Sequence, residues 1–301
     1  MQITKQNAEA LFPADVTAGI IQDTIKTSKA MSVMRKLPNM TSDKTRMRVL
    51  DTLPLAYWVD ESTDNGRKQL TKMAWKNKYI VAQEIAVIVP IKESVLADAE
   101  FDIWAEVKPR VAEAFAKTFD EAVFIGKNKP SGFRDSIVTS IASAGAVITP
   151  ESNETLYSQI NRAMAKVEED GYNPNAIVGG LDIKSKFRMM LDTTGQPIAN
   201  TEIGELTKHY IDNGAWDKTQ ATLIVGDFSQ AVYAIRQDIT YKVLTEAIIQ
   251  NPADGEILYN LAQEDMVALR CTMRLGWEIP NPVTLSNTDE ATRFPFASIK
   301  G

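Results

Sequence analysis

The sequence predicts an α+β protein with an α/β domain inserted into a first, sheet-bearing domain. Three patterns predict it. Strand and helix signals alternate from residue 150 to 250, as an α/β unit requires. An apolar strand at 84–93 precedes that unit, and a cleanly alternating strand at 265–277 follows it. The two can share one sheet, to which the chain returns late. A long two-armed hairpin spans 48–83. At 301 residues the chain is longer than one average domain. Its 44% hydrophobic and 24% charged residues exclude wholesale disorder, collagen and coiled-coil rods.

Residues 1–40 read as a weakly structured arm. Phe12-Pro13-Ala14-Asp15 is a turn, and apolar positions 16, 20, 21, 25, 31 and 34 fit one or two short amphipathic helices that Pro38-Asn39 ends. In the hairpin, Val49, Leu53, Leu55, Tyr57 and Val59 alternate as an outgoing strand. A polar tip follows at 60–68 (DESTDNGRK). The return arm, 71–83, interleaves Lys72, Lys76 and Lys78 with Met73, Trp75, Tyr79 and Val81. Arms of about 12 residues at ~3.3 Å each reach roughly 40 Å, against a radius of gyration near ~19 Å for a compact chain of this length. Such a hairpin cannot be buried in its own body, and Tyr57, Trp58 and Trp75 need a surface to lie on. The simplest surface is another copy of the chain; the alternative is a hairpin packed on its own sheet.

Beyond the hairpin, the strand 84–93 carries Pro90 near its end. Ile103, Val107, Val111, Ala114, Phe115, Phe119, Ala122 and Val123 then recur at helical spacing across 98–126, a structural spine. Asp98 or Asp102 caps its start and Gly126 its end. Pro109 kinks the helix or marks its first turn. Residues 130–150 read as a loop with possible strands. In the inserted unit the pattern gives a helix at 155–169 ended by Gly171, and a strand at 176–178. Helices follow at 182–191 and 202–213, then a buried strand at 222–225 with its turn at 226–229. Separate strands follow at 232–236 and 239–244, then a connecting segment at 246–262. Pro280 and Pro282 end the strand 265–277.

The chemical inventory is sparse. One cysteine, Cys271, excludes an internal disulfide and any multi-cysteine metal site; one histidine, His209, removes most zinc and Ser-His-Asp designs. Gly126-Lys127 lacks the spacing of a phosphate-binding loop, and Gly179-Gly180 lacks the third glycine of a dinucleotide fingerprint. Asp60-x-Ser62-x-Asp64 fails as a calcium loop, because Asn65 and Thr71 stand where glycine and glutamate belong. Cys271 reads as a buried inert thiol, His209 as a surface or capping residue on a helix, and Asp227 as part of a tight turn. No catalytic residue, metal or cofactor is expected. No apolar run is long enough to cross a membrane, and the first thirty residues lack a signal-peptide layout, so a cytosolic, soluble chain is expected.

Charge is uneven. Residues 1–78 hold 13 Lys/Arg and 8 Asp/Glu, a net of +5; residues 79–301 hold 20 and 31, a net of −11. A basic arm and loop can meet an acidic body of another copy. The acidic body argues against sequence-specific nucleic-acid binding.

Five stretches in order carry a family resemblance: Tyr57-Trp58-Val59-Asp60-Glu61, then 78–93 (KYIVAQEIAVIVPIKE), then 120–126 (DEAVFIG). Ile224-Val225-Gly226-Asp227-Phe228-Ser229 with Tyr233 and Arg236 is the fourth; 265–274 with Asn281-Pro282 is the fifth. From about residue 10 to 285 the chain resembles the major capsid proteins of tailed bacteriophages with the Hong Kong 97-like fold.

The resemblance implies an N-arm at 1–40, an extended loop at 41–82 and a peripheral domain at 83–127 and 250–278. The axial domain and tail would be 128–249 and 279–301. It implies a structural subunit that self-assembles through hexamers and pentamers into an icosahedral head enclosing double-stranded DNA without sequence specificity. Assembly would take place in the bacterial cytoplasm, with a portal and, since Met1 opens directly on the arm, a separate scaffolding protein.

Inter-subunit contacts would come from Tyr57, Trp58, Asp60, Glu61, Arg67, Lys68, Lys72, Trp75, Lys76 and Lys78 of the loop, and from Phe12, Arg35 and Lys36 of the arm. A covalent crosslink, as some members form, could use Lys68 or Lys72 (or Lys76 or Lys78) with Asn281 or Asn287. The alternatives are an encapsulin-type nanocompartment shell, disfavoured by the arm-like start, and an α/β enzyme with a lid hairpin, disfavoured by the sparse chemistry.

Overall fold

The computed structural model describes residues 27–59, 68, 70–99, 102–190 and 202–301. Ser28 caps a short helix α1 (Lys29–Val33), its hydroxyl accepting from Met31 N–H. Strand β1 (Arg35–Lys36) follows, then the hairpin β2 (Lys44–Thr52) and β3 (Ala74–Val81). Its outgoing strand starts and ends earlier than the expected 49–59. Leu53-Pro54 closes it, since proline has no N–H for the ladder and restricts the residue before it. The paired arms are therefore roughly 30 Å long, at ~3.3 Å per residue, rather than 40 Å. They form a two-stranded sheet of their own.

Strand β4 (Gln83–Lys92) leads through helix α2 (Glu93–Asp98) to the spine helix α3 (Ile103–Asp120). Of the two expected caps it is Asp102 that serves, accepting from Trp104 N–H at 2.9 Å. Pro109 lies inside α3, where it removes one ladder hydrogen bond. The helix widens into a π turn, Glu121–Ile125, and Gly126 ends it at φ +84°, a left-handed conformation that favours glycine. Asp120 is buried at that end. Burial pushes its carboxyl up, while hydrogen bonds from the Ser28 hydroxyl, the Lys29 and Ala30 N–H groups and the Asn213 amide pull it down. This one carboxyl ties α1 and the loop at Asn213 to the spine.

The segment expected as a loop at 130–150 contains helix α4 (Ile137–Ser143), capped by Ser136, and strand β5 (Val147–Ile148). Ile137 and Ile141 are both fully buried; their four-residue spacing was the helix signal. Helix α5 (Leu156–Glu169) is capped by Thr155, and Gly171 follows it at φ +80°. Strand β6 (Ala176–Gly180) and helix α6 (Ile183–Arg188) come next. The helix expected at 202–213 is only one turn, α7 (Glu202–Glu205). Strand β7 (Thr207–Ile211) then pairs parallel with β6. His209 accordingly sits on a strand, not a helix. Burial, then the Lys29 charge, push its imidazole pKa down.

Strand β8 (Leu223–Gly226) ends in a 3-10 turn, Phe228–Gln230. The two strands expected at 232–244 are one, β9 (Val232–Leu244), with register shifts opposite Thr272–Leu275. The expected connector at 246–262 holds a second hairpin, β10 (Ile248–Gln250) and β11 (Ile257–Asn260). Strand β12 (Met266–Glu278) pairs antiparallel with both β4 and β9, so the expected return to the first sheet is observed. The sheet order is β1-β9-β12-β4, which places β9 in this first sheet rather than in the inserted unit. Pro90 falls on the edge strand β4, where a missing donor is tolerated.

A strand without a sequence signal, β13 (Phe296–Ile299), enters the second sheet. That sheet has the order β5-β13-β8-β6-β7. One core joins the layers: Phe115, Phe119 and Phe124 of the spine, Ile141 of α4, Ile160 of α5, and Phe228 and Phe296 belong to one buried cluster.

Candidate assembly surface

The hairpin β2–β3 has two faces because strand side chains alternate. Its inner face carries Val49 and Ile80, which are buried, with Met47 partly so. At its base Ile80 packs with Met40, Val232 and Ala234. Gly276 of β12 permits this approach: a Cβ there would lie 2.6 Å from both Ile80 Cγ2 and the Val81 carbonyl oxygen. Farther out, the inner face rests on the chain's own tail. Val283 N–H donates to the Leu50 carbonyl at 3.1 Å. Glu290 receives Lys76 at 2.5 Å and Lys78 at 3.0 Å. Hydrogen bonds from the two ammonium groups hold the Glu290 carboxyl down to about 2. Lys76 is raised in turn, first by its hydrogen bond to Glu290 and then by that group's charge.

The outer face is different. Lys44, Arg46 and Arg48 are exposed at alternate positions of β2, and Trp75 and Tyr79 at matching positions of β3. Arg46 is opposite Tyr79, and Leu50 is opposite Trp75. Lys44 lies over the Tyr79 ring at 4.3 Å from its centroid. Among the described residues, Lys44, Arg46 and Arg48 form no ion pair. Beyond the ladder, Trp58 is 97% exposed and Leu70 91%.

The expected contact residues divide accordingly. Trp58, Lys68, Lys72 and Trp75 are exposed, and Tyr57 is half-buried. Lys76 and Lys78 are engaged by Glu290 of their own chain. Arg35 and Lys36 are exposed on β1 beside β9. Phe12, Asp60, Glu61 and Arg67 lie outside the described residues. Both candidate crosslink asparagines are occupied. Asn281, buried at φ +49°, donates to the Arg293 carbonyl and accepts from Tyr172 Oη. The Asn287 amide donates to Asp170 at 2.7 Å. Burial pushes the Tyr172 hydroxyl up to about 12, so it is a stable donor for this joint.

Asp227 accepts from Ser229 N–H and Oγ, Gln230 Nε2 and Asn175 Nδ2, as a turn-former does. Cys271 is buried, and burial pushes its thiol up. Among the described residues no group of His, Cys, Asp and Glu could hold a metal ion. The sequence reading missed Lys44, Arg46, Arg48 and Glu290. The first three were legible as cations at every second position, once the strand is taken to start at Lys44.

Comparison with known proteins agrees with this geometry. The phage capsid family matches residues 9–284. The chain is 29% identical over 283 residues to the major capsid protein of Staphylococcus phage 80alpha, covering 88% of this chain and 80% of that one. A solved structure from Microbacterium phage Oxtober96 is similar at TM-score 0.82 and 34% identity, covering 99% of this chain and 98% of the other. One from Mycobacterium phage Adephagia is similar at TM-score 0.83 and 27% identity, covering 99% and 97%. A match over nearly the whole chain, on a fold whose hairpin leaves its outer face exposed, leaves neither the enzyme nor the nanocompartment reading favoured: the chain belongs to the phage capsid family and is a structural protein of the phage shell.

Proposed function

We propose that the chain builds an icosahedral, Hong Kong 97-like head from hexamers and pentamers of itself, and that this head encloses double-stranded DNA without reading its sequence. The observation that carries the proposal is the outer face of β2–β3, with its alternate cations and exposed Trp75 and Tyr79. In this reading residues 41–82 are the extended loop lying on a neighbour, and Arg35 and Lys36 belong to the arm. The first sheet, including β9, is the peripheral domain; the second sheet with α4, α5 and the tail is the axial domain. Each contact can be weak, because a subunit meets several neighbours at once and multivalency multiplies the effect. A portal and a separate scaffolding protein complete assembly, which takes place in the host cytoplasm.

Negative-stain electron microscopy of the purified chain, alone and co-expressed with a scaffold, at low and high salt, tests this. Closed shells or capsomer rings are expected. A monodisperse monomer or dimer under every condition overturns it.

A further inference from the structure

We propose that a small recess between α1, α6 and β7 binds a phosphate group. The inference goes beyond the shell reading and does not depend on it.

The recess has a volume of about 260 Å³. Lys29 reaches it from α1 and Lys184 from α6; Lys208, His209, Tyr210 and Asp212 reach it from β7 and its exit. Strand β7 is the outermost of its sheet. Lys208 and Tyr210 leave one face of it and His209 the other, so the recess straddles the strand. Three ammonium groups thus line one small space against a single carboxylate, although residues 79–301 carry a net −11. Asp212 lies 3.8 Å from Lys29, too far for a hydrogen bond, and its Oδ1 is buried with no hydrogen-bond partner among the described residues. Lys184 and Lys208 form no ion pair among the described residues. Aromatic rings position them instead. Lys184 lies over the Tyr210 ring, 5.8 Å from its centroid, and Lys208 over the Phe187 ring at 5.5 Å. The two rings pack edge to face, with centroids 6.4 Å apart. They hold in place two cations that no carboxylate neutralises.

The donors fit a phosphate. Lysine ammonium groups offer charge-assisted hydrogen bonds to an oxyanion. His209, held neutral at neutral pH by burial and the Lys29 charge, can donate one ring N–H. A phosphate presents several strong acceptor oxygens and up to two charges, and so answers three cations where a carboxylate answers fewer. The recess is smaller than the roughly 300–1,000 Å³ of pockets that enclose a drug-sized molecule. It therefore takes the phosphate and leaves outside whatever carries it. Two sources share this chemistry: the free inorganic anion and the phosphodiester backbone of a nucleic acid.

The chain has one histidine, so its imidazole resonance reports on this recess alone. Titrating inorganic phosphate into the histidine-labelled, unassembled full chain, at constant pH and ionic strength, is expected to move that resonance saturably. Lys184→Ala with Lys208→Ala is expected to keep the circular-dichroism spectrum and to weaken binding by at least ~10-fold, because two charge-assisted donors are lost. If that pair does not fold, Lys184→Gln alone is expected to weaken binding by at least ~3-fold. Lys186→Ala removes an exposed lysine of α6 that does not line the recess. It is expected to change the midpoint by less than ~2-fold, which separates a site from general charge. A second titration uses a short duplex DNA. A saturable shift of the same resonance, lost in the double variant, assigns the phosphodiester as a source; a shift with inorganic phosphate alone assigns the free anion. The proposal is overturned if neither ligand moves the His209 resonance, or if chloride at equal ionic strength moves it as far. It is also overturned if the folded lysine variant binds as tightly as the unmodified chain.

Discussion

Two carboxylates show how differently one residue type serves this subunit. Asp120 is buried and answers four donors drawn from α1, its cap and the loop at Asn213. Truncating it leaves those donors without a partner. Asp120→Ala is therefore expected to lower unfolding stability by about 2–4 kcal/mol in a denaturant titration, more than a surface truncation costs. Glu290 is partly exposed and answers two lysines of the hairpin. Its folded pKa, about 2, lies below its ordinary 4.5. Its contribution is thus complete above about pH 4.5 and is lost as pH falls toward 2. The stability difference between the unmodified chain and Glu290→Gln is expected to shrink across that window and to stay flat above it, as chemical denaturation at a series of pH values would show. Asp120 could not be read from the sequence as a joint, because its partners lie some ninety positions away. Nor could Glu290, whose partner Lys76 is 214 residues upstream.

Elements with a local signal were legible, and those decided by distant pairing were not. The spine, α5 and β12 carry their own periodicity and caps, so their type was plain from the residues. Residues 202–213 have apolar positions that fit either period. The parallel ladder with Ala176–Gly180 settled β7 as a strand. The turn at Asn251–Gly255 was visible, but the three-residue strand β10 beside it is too short to announce itself. Strand β13 is the extreme case. Four residues with no alternation become an inner strand of the second sheet, with Phe296, Ala297 and Ile299 fully buried. Phe296 packs on Phe228 with ring centroids 4.8 Å apart. Phe296→Ala is expected to cost about 3–5 kcal/mol, the usual range for emptying a large aromatic site in a core. A lowered melting temperature without a change in oligomeric behaviour at permissive temperature would be its signature.

At the scale of the whole molecule, stability and assembly are expected to draw on different residues. Trp58 and Trp75 touch little of their own chain. Trp58→Ser with Trp75→Ser is expected to leave the melting curve of the subunit nearly unchanged while sharply reducing shell formation by light scattering. A matching fall in melting temperature would show that these rings serve the subunit instead. The capsid class was legible from the order of five short stretches, although no single one identifies it. The polarity of its surfaces was not, because charge counts along the chain do not say which side of a strand a cation occupies. The position of β13 also bears on how a subunit is made. Residues 296–299 sit between β5 and β8, and the rest of that sheet, β6 beside β8 and β7 beside β6, also lies upstream of them. The second sheet therefore cannot close until residues 296–299 have been made. A prematurely terminated product would carry a complete hairpin beside an unclosed sheet.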